Sequence, residues 1–243
     1  MKKISLLALC ALAIVSCKKS NDTEQPTPMV TISFEQRIVE GHSMVRSASN
    51  DFLDIIEEQT PKVVTVTLKN IDLNKTYTCE STETITIPVG NYEISAASHS
   101  GQQVGNVGKY FYTRPSIGLS KTTMQISPST RTLSINLTYT CYAIFALIDE
   151  CSACYMYLWS DYGDFPKVDK YYVAYAKSDF KVALQPYENS TEFTSTVIPF
   201  VTTYDATNVF AEFGKYYVVH PQKVETSTSS FDIQFPTMQE GEI

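Results

Sequence analysis

Apolar and polar residues alternate with a period of two along much of this chain, which is typical of β-strands with one buried face. The clearest alternating runs are residues 64–68, 92–96 and 133–141. At residues 142–148 the alternation gives way to a continuous apolar run, which is consistent with a strand buried on both faces. Short strands separated by turn residues continue to the end of the chain, and their spacing favours β-sandwiches.

Two segments need separate comment. In residues 51–59, Phe52, Ile55 and Ile56 have helical spacing behind polar capping residues, so this segment is either a short helix or an irregular strand. A Gly90–Asn91 pair between the apolar runs 85–89 and 92–96 predicts a β-hairpin.

The first seventeen residues resemble a lipoprotein signal peptide. A basic head, Lys2–Lys3, precedes an apolar body that is too short to span a membrane. The ending Ser16–Cys17 resembles the lipobox of bacterial lipoproteins, in which this cysteine is diacylated after cleavage just before it. Cys17 could instead be an ordinary residue behind a different cleavage point, but a cysteine beside so polar a tract favours lipidation.

The pattern predicts four segments and an all-β fold class. Residues 1–16 are the signal peptide, 17–28 a polar, Pro-containing flexible spacer, 29–141 a first β-sandwich and 142–243 a second. We therefore expect two tandem β-sandwich domains with little or no helix. The formal net charge of −7, without any basic cluster, argues against a nucleic-acid partner.

Several stretches resemble fimbrillin-like surface lipoproteins of the Bacteroidales. They follow the lipobox in this order: residues 46–52 (RSASNDF), residues 85–96 (ITIPVGNYEISA), Pro115, residues 126–128 (ISP) and residues 137–141 (LTYTC). The resemblance implies a transthyretin-like first sandwich followed by a second β-domain. Members of that family are subunits of pilus-like fibres, joined by donated β-strands, or surface lipoproteins of unknown role.

The same resemblance makes Arg46 a candidate processing site. In polymerising fimbrillins a protease cuts after an arginine behind the first strand and opens a groove for an incoming strand. Arg46 lies in a predicted loop behind the strand that begins near Val30. A plain loop arginine is the simpler interpretation, and we prefer it from the sequence alone.

Four cysteines remain beyond the lipobox: Cys79, Cys141, Cys151 and Cys154. An exported protein can form disulfides, and four cysteines allow three pairings. Cys151 and Cys154 form a C-x-x-C, but neither the helix of a redox site nor a second pair of zinc ligands accompanies it. We therefore expect a turn whose cysteines are either bridged or buried and free. A Cys79–Cys141 bridge is a further possibility.

No constellation for catalysis is present. The chain lacks the nucleophile, zinc-protease and phosphate-loop motifs, and its acidic pairs have the spacing of solvated surface residues. We expect no enzyme activity, no cofactor and no metal.

A belt of aromatic residues opens the second half and is the one feature that suggests ligand contact. Tyr155, Tyr157 and Trp159 share one face of a predicted strand, where they suit a sugar ring or a protein partner. Cross-strand packing is the plainer interpretation, and the sequence does not say whether this face meets core or solvent.

Together these features predict a non-enzymatic surface lipoprotein. We expect it to be exported, anchored by lipid to the outer membrane and displayed at the cell surface. Its function would be cell adhesion or fimbria association, with fimbrial or envelope proteins as partners and a terminal strand at residues 231–235 as a β-augmentation element. The alternative is a glycan-binding accessory lipoprotein that uses the aromatic-rich second domain.

Overall fold

The computed structural model describes residues 27–39, 51–99, 101, 111–158, 161–203, 208–223 and 238–242. These residues form one helix and twenty strands, numbered here in chain order. The helix α1 is Asp51–Gln59. The strands are β1 Met29–Ile38, β2 Val64–Asn70, β3 Lys75–Glu80, β4 Ile85–Pro88, β5 Gly90–Ser98, β6 Phe111–Tyr112, β7 Ile117–Ile126, β8 Thr132–Tyr139, β9 Tyr142–Leu147, β10 Ala153–Leu158, β11 Asp161–Asp164, β12 Lys167–Val168, β13 Tyr171–Ala176, β14 Phe180–Gln185, β15 Phe193–Thr194, β16 Thr196–Val201, β17 Val209–Phe210, β18 Lys215–Val219, β19 Gln222–Lys223 and β20 Met238–Glu242.

The strands of the first half form one hydrogen-bonded path in the order β3-β2-β5-β7-β8-β1-β4. The path encloses a single core, because strands from both of its ends contribute to the same apolar cluster. In β2, for example, Val64, Val66 and Leu68 point into this core and are fully buried, as their alternation predicts. The prediction of an all-β sandwich fold is confirmed.

The second half contains two larger sheets packed face to face. One has the order β11-β10-β14-β16-β17, and the other has the order β12-β13-β9-β18-β20. Side chains of both sheets meet in a core that includes Met156, Tyr172, Val182 and Phe200. Strand β9 is buried on both faces, as its continuous apolar sequence predicts, because a second apolar cluster covers its other side.

Two elements of the first half belong structurally to the second half. Strand β6 pairs with β13 and so extends the second half's sheet. Helix α1 packs on the outer face of the same sheet, where Phe52 contacts the rings of Phe145, Tyr171 and Tyr216 at 4.9–5.4 Å between centroids. The sheet pairings therefore divide near residue 141, while these two elements connect the halves.

Residues 51–59, which the pattern left undecided, form a helix. Asp51 and Asp54 lie in its first turn, where carboxylates interact favourably with the helix dipole. At the other end the Thr60 hydroxyl donates a 2.6 Å hydrogen bond to the carbonyl of Ile56, and Pro61 follows. Burial of Ile55 and Ile56 against the sheet of the second half stabilises this short helix.

The predicted hairpin at residues 85–96 is wrong. Strand β4 pairs with β1, whereas β5 pairs with β2 and β7, so the two runs are not hydrogen-bonded to each other. Between them the chain bends at Val89, whose amide donates to the carbonyl of Pro28 at 2.8 Å. Gly90 follows with a φ of 152°, a conformation that other residues rarely adopt.

Candidate functional site

Strand β1 connects two parts of the first sandwich that otherwise have little contact through hydrogen bonds. Its first four residues pair antiparallel with β4, and its last six pair parallel with β8. Within the described residues, β4 pairs with no other strand, and β8 pairs with β7 through two residue pairs alone. The backbone pairing of β4 and most of β8 therefore depends on β1.

One face of β1 is anchored in the first core. Val30 and Ile32 are buried, and Phe34 is partly buried beside them. Full burial of such side chains contributes about 1.5–3 kcal/mol each. The slot that receives this face is lined by Ile87 of β4 and by Leu133 and Ile135 of β8.

The far end of β1 is less completely packed than its start. Gln36 faces the same side as Phe34, and its amide nitrogen donates to the carbonyl oxygen of Lys62. Its Oε1 is buried without a hydrogen-bond partner. Beside it lies a cavity of about 300 Å³ between β1, α1 and the ends of β7 and β8. It is lined by Gln36, Ile38, Glu57, Thr60, Pro61, Lys62, Ile117, Leu137 and Tyr139.

Several of the sequence predictions fall outside the described residues. They include the signal peptide, Cys17, Arg46 and the predicted terminal strand at residues 231–235. The structure places the two ends of the segment that contains Arg46. The amide of Val39 donates to the carbonyl of Leu137 at 2.8 Å, which ends the pairing of β1 with β8, and α1 begins at Asp51.

Two residues of the aromatic belt, Tyr155 and Tyr157, face away from the core, which answers for them the question that the sequence left open. Along β10, Cys154 and Met156 point into the core, and Tyr155 and Tyr157 point to the opposite face, where both are half-buried. Trp159, the third residue of this predicted set, lies outside the described residues.

Neighbouring strands extend this outward face. Tyr157 pairs with Tyr162 of β11, whose side chain is 64% exposed. On the other side Tyr157 pairs with Lys181 of β14, whose ammonium lies 5.9 Å from the tyrosine ring centroid. We call Tyr155, Tyr157, Tyr162 and Lys181 the tyrosine face. Sequence reasoning did not place Tyr162 or Lys181 beside Tyr157, because only the strand register brings these residues together.

The four cysteines are free thiols, so none of the three disulfide pairings is formed in this structure. Cys79 lies on β3 and Cys141 follows β8, with β2, β5 and β7 between them along the sheet, so the Cys79–Cys141 bridge considered above is not made. Burial raises the pKa of Cys151 to about 11 and raises that of Cys154 well above its usual value. These two side chains are packing residues that stay protonated at neutral pH.

Cys141 and Cys151 also hydrogen-bond to the backbone. The Sγ of Cys141 accepts from the amide of Ser116 at 3.2 Å, and the Sγ of Cys151 donates to the carbonyl of Leu147 at 3.2 Å. The two remaining interpretations of the C-x-x-C have no support in the described part of the chain. No helix follows it, and no group of three or more potential metal ligands occurs there.

One polar pair was not anticipated from the sequence. The Nδ1 of His220 lies 2.6 Å from a carboxylate oxygen of Glu150, and both side chains are about a quarter exposed. The 70 positions that separate them in sequence concealed the pair. Among the described residues no helix is both long enough and apolar enough to cross a membrane.

Comparison with known proteins finds solved structures with a similar fold. No protein-family model matches the sequence, and no curated protein matches it either. The tip fimbrial protein Mfa3 of Porphyromonas gingivalis matches in structure with a TM-score of 0.50 at 7% identity, over 89% of this chain and all of that one. This likeness confirms at the level of the fold the resemblance to fimbrillin-like proteins.

Two further solved structures are similar with lower scores. A candidate cell adhesion protein of Bacteroides eggerthii has a TM-score of 0.39 at 10% identity, over 89% of this chain and 96% of that one. A candidate adhesin of Bacteroides ovatus has a TM-score of 0.36 at 9% identity, over 80% of this chain and 88% of that one.

Proposed function

We propose that this chain, which shares its fold with a fimbrial tip protein, is a non-enzymatic surface lipoprotein of a fimbrial or adhesive assembly. In this proposal the chain is anchored to the outer membrane through an acylated Cys17 and displayed at the cell surface. The observation that carries the proposal is the position of β1, whose loss would leave β4 and most of β8 unpaired.

The first step concerns how β1 is held. It is joined covalently to the rest of the body through the segment between Val39 and Asp51, which contains Arg46. A cut after Arg46 would leave β1 attached by its strand pairing and by side chains such as Ile32. The cut would therefore convert a covalent connection into one that another strand can replace. Because Cys17 precedes β1 in the chain, departure of β1 would also separate the body from its anchor, so the anchored form is the uncut chain.

The second step concerns what an empty slot would do. Departure of β1 exposes Ile87, Leu133 and Ile135 together with unpaired backbone groups of β4 and β8. Such an edge recruits a strand from another chain by β-augmentation. The slot accepts apolar side chains at alternate positions, as Val30 and Ile32 now occupy it, so a strand of a fimbrial or envelope protein is the partner class.

The test is cleavage of the purified full chain with an arginine-specific protease. We expect cutting at Arg46, release of β1 and SDS-resistant ladders, and we expect Arg46→Ala to abolish all three. Arg37→Ala is the matched control, because Arg37 is exposed on β1 and pairs with Glu35 of its own strand. A chain that stays monomeric both before and after cleavage would rule out the polymer version.

The anchor has its own test. The N-terminal peptide of the protein isolated from membranes should begin at Cys17 and carry acyl chains on that residue. Cys17→Ser should release the protein from the membrane fraction. An unmodified Cys17 in the membrane-derived protein would contradict the anchor and would leave the proposal of strand exchange unaffected.

A second candidate function is glycan binding at the tyrosine face. It is supported by the outward orientation of Tyr155, Tyr157 and Tyr162, because flat aromatic rings beside a polar group such as Lys181 suit sugar rings. A glycan array gives the test, with Tyr157→Ala and Trp159→Ala expected to weaken any binding at least tenfold.

Tyr187→Ala is the control, since Tyr187 is also exposed but its hydroxyl donates to the carbonyl of Ile148. Absence of binding on the array, or binding unchanged in both variants, would eliminate this candidate.

A further inference from the structure

Three large apolar side chains are exposed at one end of the first sandwich. Met29 begins β1 and is 57% exposed, and Ile71 and Leu73 in the turn between β2 and β3 are 50% and 45% exposed. We call this group the apolar tip. Single exposed apolar residues are common on protein surfaces, so the apolar tip is informative only together with its position in the fold and the charges around it.

Backbone contacts hold the members of the apolar tip at the same end of the sandwich. The bend after β4 links them, because the amide of Val89 donates to the carbonyl of Pro28 and the amide of Ile71 donates to the carbonyl of Asn91, both at 2.8 Å. Asn91 also donates from its backbone amide to the carboxylate of Asp72 at 3.2 Å. The turn that presents Ile71 is therefore fixed beside the point where the chain enters the first sandwich.

The rest of the protein extends away from the apolar tip. Strands β1 and β8 run parallel, both starting near this end. The second half begins at Tyr142, directly beyond the far end of β8. The apolar tip and the second half therefore lie at opposite ends of the first sandwich.

Charge at this end suits a phospholipid surface. Lys75 follows the β2–β3 turn, and Arg131 precedes β8 in the turn after β7, and both side chains are exposed. The nearby acid, Asp72, accepts hydrogen bonds from the neutral amides of Asn91 and keeps its charge, so Lys75, Arg131 and Asp72 together carry a net charge of +1. Apolar side chains flanked by cations are the arrangement that inserts into the boundary between headgroups and acyl chains.

We propose that the apolar tip rests on the membrane to which the protein is anchored, with Ile71 and Leu73 inserted among the lipid headgroups. This inference depends on the proposed anchor at Cys17. Eleven residues, 18–28, separate that cysteine from β1, so even a fully extended connection keeps the tip within about 40 Å of the anchor. The protein then stands upright, with its second half and the tyrosine face directed away from the membrane.

The test places a tryptophan probe in the acylated full chain. Trp159→Phe removes the single tryptophan, and Ile71→Trp adds one at the tip. The protein is reconstituted into phosphatidylethanolamine–phosphatidylglycerol vesicles in which a fraction of the lipid carries brominated acyl chains. We expect at least twofold quenching of the tryptophan fluorescence in the Ile71→Trp variant, and quenching of less than a tenth for Tyr187→Trp in the second half.

The outcomes separate this inference from the proposals on which it rests. Unquenched fluorescence from both Ile71→Trp and Leu73→Trp in acylated protein overturns the membrane contact and leaves the anchor and strand exchange intact. Protein without acyl chains overturns the anchor and this inference together. A fluorescence change that depends on protein concentration and not on brominated lipid assigns the tip to a second copy of the chain, which also overturns the inference.

Discussion

The hydroxyl of Tyr175 donates a 2.6 Å hydrogen bond to the Oε1 of Gln59. Tyr175 lies on β13 in the second half, and Gln59 is the last residue of α1, which comes from the first half. Tyr175 is fully buried, and burial raises the pKa of its phenol. The bond therefore joins the two halves through an enclosed phenol and a half-buried amide.

Breaking this bond should lower stability in a measurable way. We expect Tyr175→Phe to reduce the free energy of unfolding by about 1 kcal/mol and Gln59→Ala by about 1–3 kcal/mol, because the latter leaves a buried hydroxyl without an acceptor. Urea unfolding of both single variants and the double variant measures the coupling, expected at about 0.5–1.5 kcal/mol. Strictly additive effects would show that the two residues act independently.

Phe52 should determine whether α1 stays docked. Its ring contacts Phe145, Tyr171 and Tyr216, and helices of nine residues are marginal without tertiary packing. We expect Phe52→Ala to lower stability by about 2–4 kcal/mol, somewhat less than for a fully buried phenylalanine. Amide hydrogen exchange should accelerate in α1. The exposed Glu58→Ala serves as the control on the same helix, and equal exchange in both variants would contradict the prediction.

The burial pattern of β1 predicts that substitutions at adjacent residues differ sharply in their cost to the free energy of unfolding. Ile32 is fully buried, so Ile32→Ala should cost about 2–5 kcal/mol in unfolding free energy. Thr31 points outward and shares a 2.7 Å hydrogen bond with Thr86 in solvent, so Thr31→Ala should cost less than about 1 kcal/mol. Similar losses for the two variants, measured by thermal or urea unfolding, would contradict the slot described for β1.

Buried thiols predict destabilisation at alkaline pH. Burial raises the pKa of Cys151 from 9.0 to about 11, so the thiol ionises first in the unfolded chain. Its contribution to stability is complete below about pH 9 and is lost as pH rises towards 11. Unfolding measured from pH 8 to pH 11 should show this decline, with a shallower slope in Cys151→Ala. An unchanged slope would assign the decline to other groups.

The different burial of the four cysteines predicts the order in which a thiol reagent modifies them. Cys79 is half-buried on edge strand β3, while Cys141, Cys151 and Cys154 are buried. In acylated protein, where Cys17 is blocked, a thiol reagent at pH 8 should therefore modify Cys79 first, and the other three should react only on unfolding. Cys79→Ala should remove the fast phase, and a fast phase that persists in this variant would mean that a buried cysteine opens readily.

Much of the fold could be predicted from local pattern, because alternation reports which face of a strand is buried. It identified β2, β5 and β8, and the unbroken apolar run identified β9. Residues 51–59 stayed undecided because the surface that makes them a helix, including Phe145 and Tyr216, is distant in sequence. The hairpin prediction failed for the same reason, since β1 and β2 compete successfully for the two strands that flank Gly90.

For the candidate site, the sequence identified residue types and the structure supplied their neighbours. The identity of Tyr155 and Tyr157 was evident, but their outward direction follows from the core position of Cys154 and Met156. The importance of β1 could not be read from its own residues. It arises from the strands that pair with it, and pairing between distant segments leaves no mark on either segment alone.

The parallel pairing of β1 with β8 also bears on how the chain is made. Ser33 bonds to the carbonyl of Arg131, 98 positions later, so β1 has no partner there until most of the first half has been synthesised. Contacts between such distant segments form late and slowly, because a long loop must close before they contribute. Until that pairing forms, β1 is an exposed apolar segment that is prone to aggregation. Strand β1, which we propose another strand can displace, is thus among the last strands to complete its pairing in the first sandwich.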